Sequence, residues 1–252
     1  MFKKSTRLFY LLGLQDIKQR YRRSAIGPLW ITFSMALMTV CLGVLYGALF
    51  NVPIKTFLPF LASGLIIWNL ISTCINESCE AYINAKSLIY QSSVSYWSHI
   101  LRVIWRNTII FWHNFIILPI LLLIFGSQTT WTVLLTIPGF ILVCANLIWI
   151  CTLLATISIR YRDVPQIVQS IIQVLFFLTP IMWTPGLLTG RSREFFIDYN
   201  PLYHLLELIR APILGDPIHM NSWLMCIALF IVGSAFAVFI SQKINHRIPY
   251  WL

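Results

Sequence analysis

The chain has 252 residues, of which 58% are hydrophobic and only 10% are charged, and its mean hydropathy is +0.79. A soluble domain carries about 25% charged residues, so this composition excludes an ordinary soluble protein and predicts helices within a membrane. The apolar runs are about twice as long as the ten-residue alternating strands of a membrane barrel. The net charge of +10 is concentrated at the ends of these runs, so membrane topology explains it better than nucleic-acid binding does.

The first 28 residues are basic and amphipathic. Apolar Phe2, Phe9 and Leu12 alternate with lysines and arginines, a pattern that predicts a helix lying in the membrane interface. The dipeptide Gly27-Pro28 is expected to end this helix before the first membrane span begins.

Six apolar runs predict six transmembrane helices, each long enough to cross a bilayer at 1.5 Å per residue. They lie at about residues 29–50, 57–75, 108–125, 131–159, 166–183 and 223–240. Pro138-Gly139 predicts a kink in the fourth span. The whole chain, residues 1–252, is therefore predicted to be a single transmembrane domain of the all-α class.

Two longer segments separate these spans. Residues 76–107, after the second span, are polar and are predicted to form a cytoplasmic segment that couples the chain to a partner. Residues 184–222, after the fifth span, contain apolar pieces too short to cross the membrane, which indicates an external re-entrant or interfacial segment. Within it, Asn200-Pro201 is a typical helix start, with asparagine as the cap.

The basic residues predict the orientation. Six spans place both ends of the chain on one side of the membrane, and that side receives most of the 18 lysines and arginines. The other side receives only Lys55, Arg191, Arg193 and Arg210. Because cytoplasmic loops carry the excess of basic residues, both termini are predicted to be cytoplasmic.

The fifth span carries a polar stripe. At about 100° per residue, Gln166, Gln169, Gln173 and Phe177 share one helix face, whereas Ile167 and other aliphatic residues occupy the opposite face. Unpaired amides are costly in hydrocarbon, so the glutamines are not expected to face lipid. Two interpretations remain open: hydrogen bonds to another helix, or the wall of a conduit that is polar at its entrance and aromatic further in.

Several kinds of chemistry are missing from the sequence. There is no GxxxxGK[ST] motif and no HExxH motif, and the six cysteines lack the spacing of metal ligands. An ion-coupled carrier would require a carboxylate in the middle of a span, and none of the predicted spans has one there. We therefore expect no catalytic residue, no metal and no cofactor in this chain, and we expect any active transport to draw its energy from a partner.

Several sequence stretches nevertheless resemble one family, the membrane subunits of type-2 ABC exporters for polysaccharides, with the nearest likeness to the lipopolysaccharide O-antigen export branch. The stretches are Arg20-Tyr-Arg-Arg-Ser-Ala-Ile-Gly-Pro-Leu-Trp30, Arg102-Val-Ile-Trp-Arg-Asn107, Arg160-Tyr-Arg-Asp163, Leu178-Thr-Pro180 and Asn200-Pro-Leu-Tyr-His204. They cover essentially the whole chain in order.

The resemblance implies a homodimer in the bacterial inner membrane, together with two separate ATP-binding subunits that hold ATP and magnesium. It also implies a lipid-linked glycan as substrate, membrane lipids as neighbours and no nucleic acid. The glycan would pass through a channel built largely from spans one and five. The candidate lining residues are Trp30, Phe33, Gln166, Gln169, Gln173, Phe176, Phe177 and Trp183. For each ring, contact with lipid or packing in the core remains an alternative.

Two further groups of residues are candidates within this scheme. Arg20, Arg22 and Arg23 lie at the head-group level, where arginine forks are suited to the pyrophosphate of a lipid-linked glycan. Their alternative role is topology and attraction to anionic lipids. In the segment after the second span, Glu77, Glu80 and Lys86 are candidates for contact with the ATP-binding subunit.

Other cargoes fit the same fold. A capsular polysaccharide, a teichoic acid or a small hydrophobic compound is the alternative substrate, and a non-transporting membrane scaffold is the alternative class. A hydrophobic substrate does not require three glutamines in one stripe. The stripe therefore favours a polysaccharide as the substrate.

Overall fold

The computed structural model describes residues 10–17, 19, 27, 29–91, 95–126, 131–187, 189–244 and 246–251. These residues are predominantly helical and include no strand, which confirms the all-α class. The helices of eight or more residues with defined bounds are α1 (Leu29–Phe50), α2 (Ile54–Cys79), α3 (Tyr96–Phe115), α4 (Ile117–Phe125), α5 (Thr136–Arg160), α6 (Val164–Leu178), α7 (Pro201–Leu214) and α8 (Met220–Ile244).

Five helical stretches among the described residues are long and apolar enough to cross a membrane. They are Leu29–Phe50, Ile54–Cys79, Tyr96–Phe125, Trp131–Arg160 and Met220–Ile244. The remaining predicted span, the fifth, corresponds to α6, which has 15 residues and is therefore about 22 Å long. The chain is thus a multi-pass membrane protein, but the count of six spans is not confirmed, and the re-entrant path of residues 184–222 stays a prediction.

Helix α6 ends earlier than its sequence suggests because of a proline. The sequence predicted helix as far as Trp183, whereas the last helical residue is Leu178. Pro180 has no N–H to continue the helix, and a proline disfavours helical geometry in the residue before it. Thr179 accordingly has extended geometry, with ψ at 136°.

The third span begins at Tyr96 and not near residue 108 as expected. The sequence predicts a polar segment for residues 96–107, but they form the first part of α3, with Ile100, Val103 and Ile104 buried on one face. Two polar residues of this half, the partly buried Arg106 and the buried Asn107, both donate hydrogen bonds to Glu77 of α2. Hydropathy alone cannot distinguish such an amphipathic half-helix from a loop.

The fourth span starts with a change of helix type. Residues Trp131–Leu135 form a 3₁₀ helix, and α5 begins at Thr136. Pro138 therefore lies in the first turn of α5, where its missing N–H leaves no hydrogen bond unmade. The position predicted as a kink is instead the start of the α-helix.

Helix α2 is the centre of the bundle. It packs against α1, α3, α5, α6 and α7, and most of its side chains are buried. Helices α1 and α8 lie at the periphery, with exposed apolar side chains along much of their length. The fold therefore presents α6 on one side of the central helix, and the space between α2 and α6 is where the candidate site lies.

Candidate functional site

A cavity of about 460 Å³ opens between α2 and α6. Its walls are lined by Trp68, Ser72 and Asn76 from α2 and by Gln169, Ile172, Gln173, Phe176 and Phe177 from α6. The structure therefore brings together three residues of the predicted stripe, Gln169, Gln173 and Phe177, and one further lining candidate, Phe176. It adds three residues from the second span that the sequence did not identify.

The cavity changes from polar to aromatic along both walls. On α2, Ser72 and Asn76 follow Trp68 at intervals of four residues, which places them on one face of that helix. On α6, the two glutamines precede the two phenylalanines. The rings of Trp68 and Phe176 lie 5.8 Å apart, so the aromatic ends of the two walls coincide. A periodic search of the second span for its polar residues would have found the α2 wall.

The glutamines of this wall face outward. Gln166, Gln169 and Gln173 are all exposed, although Gln166 lies outside the cavity lining. Within the described part of the chain, their side chains make no hydrogen bond to another helix. Across the cavity, the Oδ1 atom of Asn76 is buried and accepts no hydrogen bond from a described residue. The glutamine amides are therefore available to a polar ligand, and Asn76, which lines the same cavity, has an unused acceptor.

The remaining predicted aromatic residues lie elsewhere. Trp183 does not line the cavity; its indole N–H donates to the carbonyl oxygen of Phe177 at 3.0 Å, which caps the last turn of α6. Trp30 and Phe33 stack on each other in α1, with ring centroids 5.6 Å apart. Both rings are more than half exposed, and neither lines the cavity. One copy of the chain thus supplies two separate aromatic clusters.

The end of α2 carries an ion-pair network. Glu77 accepts a hydrogen bond from Arg106 at 2.7 Å and one from Asn107 at 2.6 Å, both from α3. Arg106 also donates to Asp16 at 3.1 Å, and the Nε atom of Arg102 donates to the same carboxylate at 2.8 Å. The network joins the helical residues 10–17 to α2 and α3, and it holds the Glu77 carboxylate, whose contact with the ATP-binding subunit stays a prediction.

The other two coupling candidates are exposed on the segment that follows α2. Glu80 accepts a hydrogen bond from Asn84 at 3.4 Å, and the Lys86 ammonium lies 5.9 Å from the centre of the Tyr90 ring. Glu77 and Glu80 both line a second cavity of about 310 Å³, whereas Lys86 does not. These two exposed charges are accessible to a partner. The predicted phosphate ligands Arg20, Arg22 and Arg23 lie outside the described residues.

The chain is a multi-pass helical protein with an open cavity that is polar at one end and aromatic at the other. Its sequence contains no nucleotide-binding motif. These are the features of a membrane transport subunit. Residues 7–214 match the ABC-2 type transporter family, and the chain belongs to this family of permease subunits. Membership implies an ABC transporter system with an ATP-binding partner, as the motifs in the sequence predicted.

Three curated relatives cover most of the chain. The O-antigen export system permease protein RfbA of Myxococcus xanthus is 26% identical over 212 residues, which are 81% of this chain and 79% of the relative. A protein of the same name from Klebsiella pneumoniae is 24% identical over 251 residues, or 95% and 93% of the two chains. A second Klebsiella pneumoniae protein of that name is 22% identical over 207 residues, or 79% and 77%.

Proposed function

We propose that this chain is the channel-forming permease of an ATP-driven exporter that moves a lipid-linked polysaccharide, of the O-antigen type, across the bacterial inner membrane. The cavity between α2 and α6 carries the proposal. Aromatic rings such as Trp68 and Phe177 pack well against the C–H faces of sugars, and amides such as Gln173 and Asn76 bond to sugar hydroxyls. The names of the three relatives support the same class of substrate.

In the proposed assembly, two copies of the chain act with two ATP-binding subunits, which hold ATP and magnesium. The exposed rings of Trp30 and Phe33 in α1 support a second copy, because they are an aromatic cluster that one chain leaves uncovered. Together with the cavities beside α6 in the two copies, these rings would line a path whose aromatic and amide groups suit a sugar. The exporter would have both termini in the cytoplasm, as the basic residues predict.

A substitution that removes a polar side chain from the cavity tests the proposal. Gln173→Leu is expected to lower export by roughly two- to tenfold, since it removes one hydrogen-bonding group worth about 0.5–1.5 kcal/mol. Ile171→Leu, on the lipid-facing side of the same helix, is the matched control and should leave export unchanged. Export is measured as glycan appearing outside the inner membrane, normalised to the amount of permease. Normal export by Gln173→Leu at normal protein level contradicts the proposal.

Accessibility provides a second measurement. Single cysteines at positions 169, 173 and 177, in a background without native cysteines that still exports, should react with a small charged thiol reagent. Cysteines at 167 and 171 should not react, because a thiol surrounded by lipid stays protonated and inert. Accumulated lipid-linked glycan should protect position 173. Equal reaction on both faces of α6 would show that the cavity is not a water-filled path.

The three arginines before the first span are proposed to bind the pyrophosphate of the lipid carrier. Replacing Arg20, Arg22 and Arg23 together by lysine keeps the charge that sets topology but removes the fork that binds phosphate through two hydrogen bonds. We expect reduced export with unchanged protein level and unchanged orientation. Full export by the triple variant would leave only lipid attraction as the role of these residues.

A further inference from the structure

Helix α7 buries a complete ion pair. Arg210 is 1% exposed, although arginine is almost never fully buried without a partner. Its Nε and Nη2 atoms donate to one carboxylate oxygen of Glu207 at 3.2 and 2.9 Å, and its guanidinium lies 4.4 Å from the centre of the Phe60 ring. Removing two charges from water costs about as much as their attraction returns, so the pair adds little stability over apolar residues of the same size. The role of the ion pair is therefore better judged from the atoms that it contacts than from the stability that it adds.

The remaining side of the guanidinium reaches the end of the channel helix. The Nη1 atom of Arg210 donates to the carbonyl oxygen of Pro180 at 2.6 Å. Pro180 lies two residues beyond the last residue of α6 and is buried. A carbonyl outside a helix has no helical N–H as its donor, and a buried one must find a donor elsewhere. Arg210 supplies it.

Two other contacts hold the same stretch of chain. The Nδ2 atom of Asn200, the cap of α7, donates to the hydroxyl oxygen of Thr179 at 3.2 Å. A Cβ atom on Gly64 of α2 would lie 3.2 Å from the Ile181 side chain, so α2 approaches the stretch closely. Residues 179–181 are therefore fixed between α7 and α2. Phe177, in the cavity, is only two residues away.

We propose that Arg210, oriented by Glu207, is a positioning residue that fixes the outer end of α6 and thereby the aromatic end of the cavity. The inference rests on the proposed function, in which α6 lines the glycan path. Glu207 holds one edge of the guanidinium, which leaves Nη1 directed at Pro180. A lysine has one ammonium on a flexible stem and lacks the planar fork that makes these contacts together.

The test separates geometry from stability in the complete exporter, with the ATP-binding subunit present. The double variant Glu207→Leu/Arg210→Met removes both charges, so no unpaired charge is buried and the fold should be kept. It leaves the Pro180 carbonyl without its donor. We expect export to fall by about tenfold or more, the factor that corresponds to losing one charge-assisted hydrogen bond, at wild-type protein level. The reaction rate of a cysteine at position 177 should change with it.

Arg193→Met/Glu194→Leu is the matched control, because it removes one charge of each sign from exposed positions of the same external segment. It should export and label as the wild type does. If the Glu207/Arg210 double variant also exports and labels at position 177 as the wild type does, the pair has no positioning role and the inference is wrong.

A second variant covers the case in which the double variant does not accumulate. Arg210→Lys keeps a buried cation beside Glu207 but loses the fork, and wild-type labelling at position 177 in this variant overturns the inference. The two proposals also fail separately. If Gln173→Leu exports normally, the assignment of the glycan path is wrong, whereas altered labelling at position 177 in the Arg210 variants still supports the positioning role.

Discussion

At the scale of single residues, polar side chains inside this chain are organised by partners from other helices. Glu77 is held by Arg106 and Asn107 of α3, and Asn146 of α5 donates to the carbonyl oxygen of Cys226 in α8 at 3.1 Å. The sequence shows such residues as isolated interruptions of apolar runs. Which residue pairs with which depends on helix packing, so the ion-pair network could not be predicted from local pattern.

Asp216, just after α7, has a carboxyl group in surroundings that disfavour its charged form. Burial raises the pKa of its carboxyl group, and the nearby Glu207 carboxylate raises it further, whereas Arg210 and His219 act in the opposite direction. A raised pKa means that folding favours the protonated form. This contribution to stability is complete below the ordinary carboxyl pKa of about 3.9 and is lost as the pH rises through the folded-state value.

Asp216→Asn should therefore be more stable than the wild type at pH 7, because an amide carries no charge to bury. The difference should shrink as the pH is lowered, because Asp216 itself then becomes protonated. Thermal unfolding of the purified permease in detergent, recorded at several pH values, measures both effects. A variant that is less stable at pH 7, or a difference that stays constant with pH, contradicts this account.

At the scale of helices, prediction succeeded where local breakers define the ends. The predicted first span, residues 29–50, coincides with α1, which is preceded by Gly27 with a φ of 63° and followed by Asn51 with a φ of 53°. The glutamine stripe of α6 was also identified from helical periodicity. The second wall of the cavity was not, because recognising it requires knowing that α2 is the neighbour of α6.

Close packing of helices gives an element-scale prediction at Gly139 of α5. A Cβ atom there would lie 2.4 Å from the carbonyl oxygen of Leu208 in α7, and backbone atoms cannot move aside as a side chain can. Gly139→Ala should push α5 and α7 apart and destabilise the permease by about 1–3 kcal/mol. A lower melting temperature and a lower steady-state protein level are the expected measurements.

Gly186→Ala is the matched control for this substitution. No atom lies within 4 Å of the position that its Cβ would occupy, so the change should alter stability by less than about 0.5 kcal/mol. Equal effects of the two alanine substitutions would show that α5 and α7 are not packed as closely as the structure indicates.

At the scale of the whole molecule, composition and charge determined the class of protein, and the order of motifs determined the family. The all-helical architecture and the family membership were both predicted from the sequence. The length of α6 was not, because a proline near the end of an apolar run stops a helix without lowering its hydropathy. The number of copies in the exporter depends on surfaces that a single chain leaves uncovered, such as the α1 face with Trp30 and Phe33.

The remaining prediction at this scale concerns which subunit hydrolyses ATP. The chain contains no P-loop motif, so the purified permease should hydrolyse no ATP by itself and should do so only with its ATP-binding partner. The exposed Glu80 and Lys86 are proposed to contact that partner. Reversing both charges, Glu80→Lys/Lys86→Glu, should weaken assembly by roughly two- to tenfold, since an exposed charge pair is worth at most about 1 kcal/mol and a reversal also adds repulsion.

Glu77 and Glu194 distinguish this role from a general effect of charge. Glu77→Gln breaks the ion pair with Arg106, so it should lower the stability of the permease itself. Glu194→Lys changes an exposed charge on the segment assigned to the outside and should leave assembly unchanged. Co-purification of the ATP-binding subunit and the ATPase rate of the complex measure these differences. If Glu194→Lys weakens assembly as much as the Glu80/Lys86 reversal does, the segment after α2 is not the contact, and the predicted orientation of the chain must be revised with it.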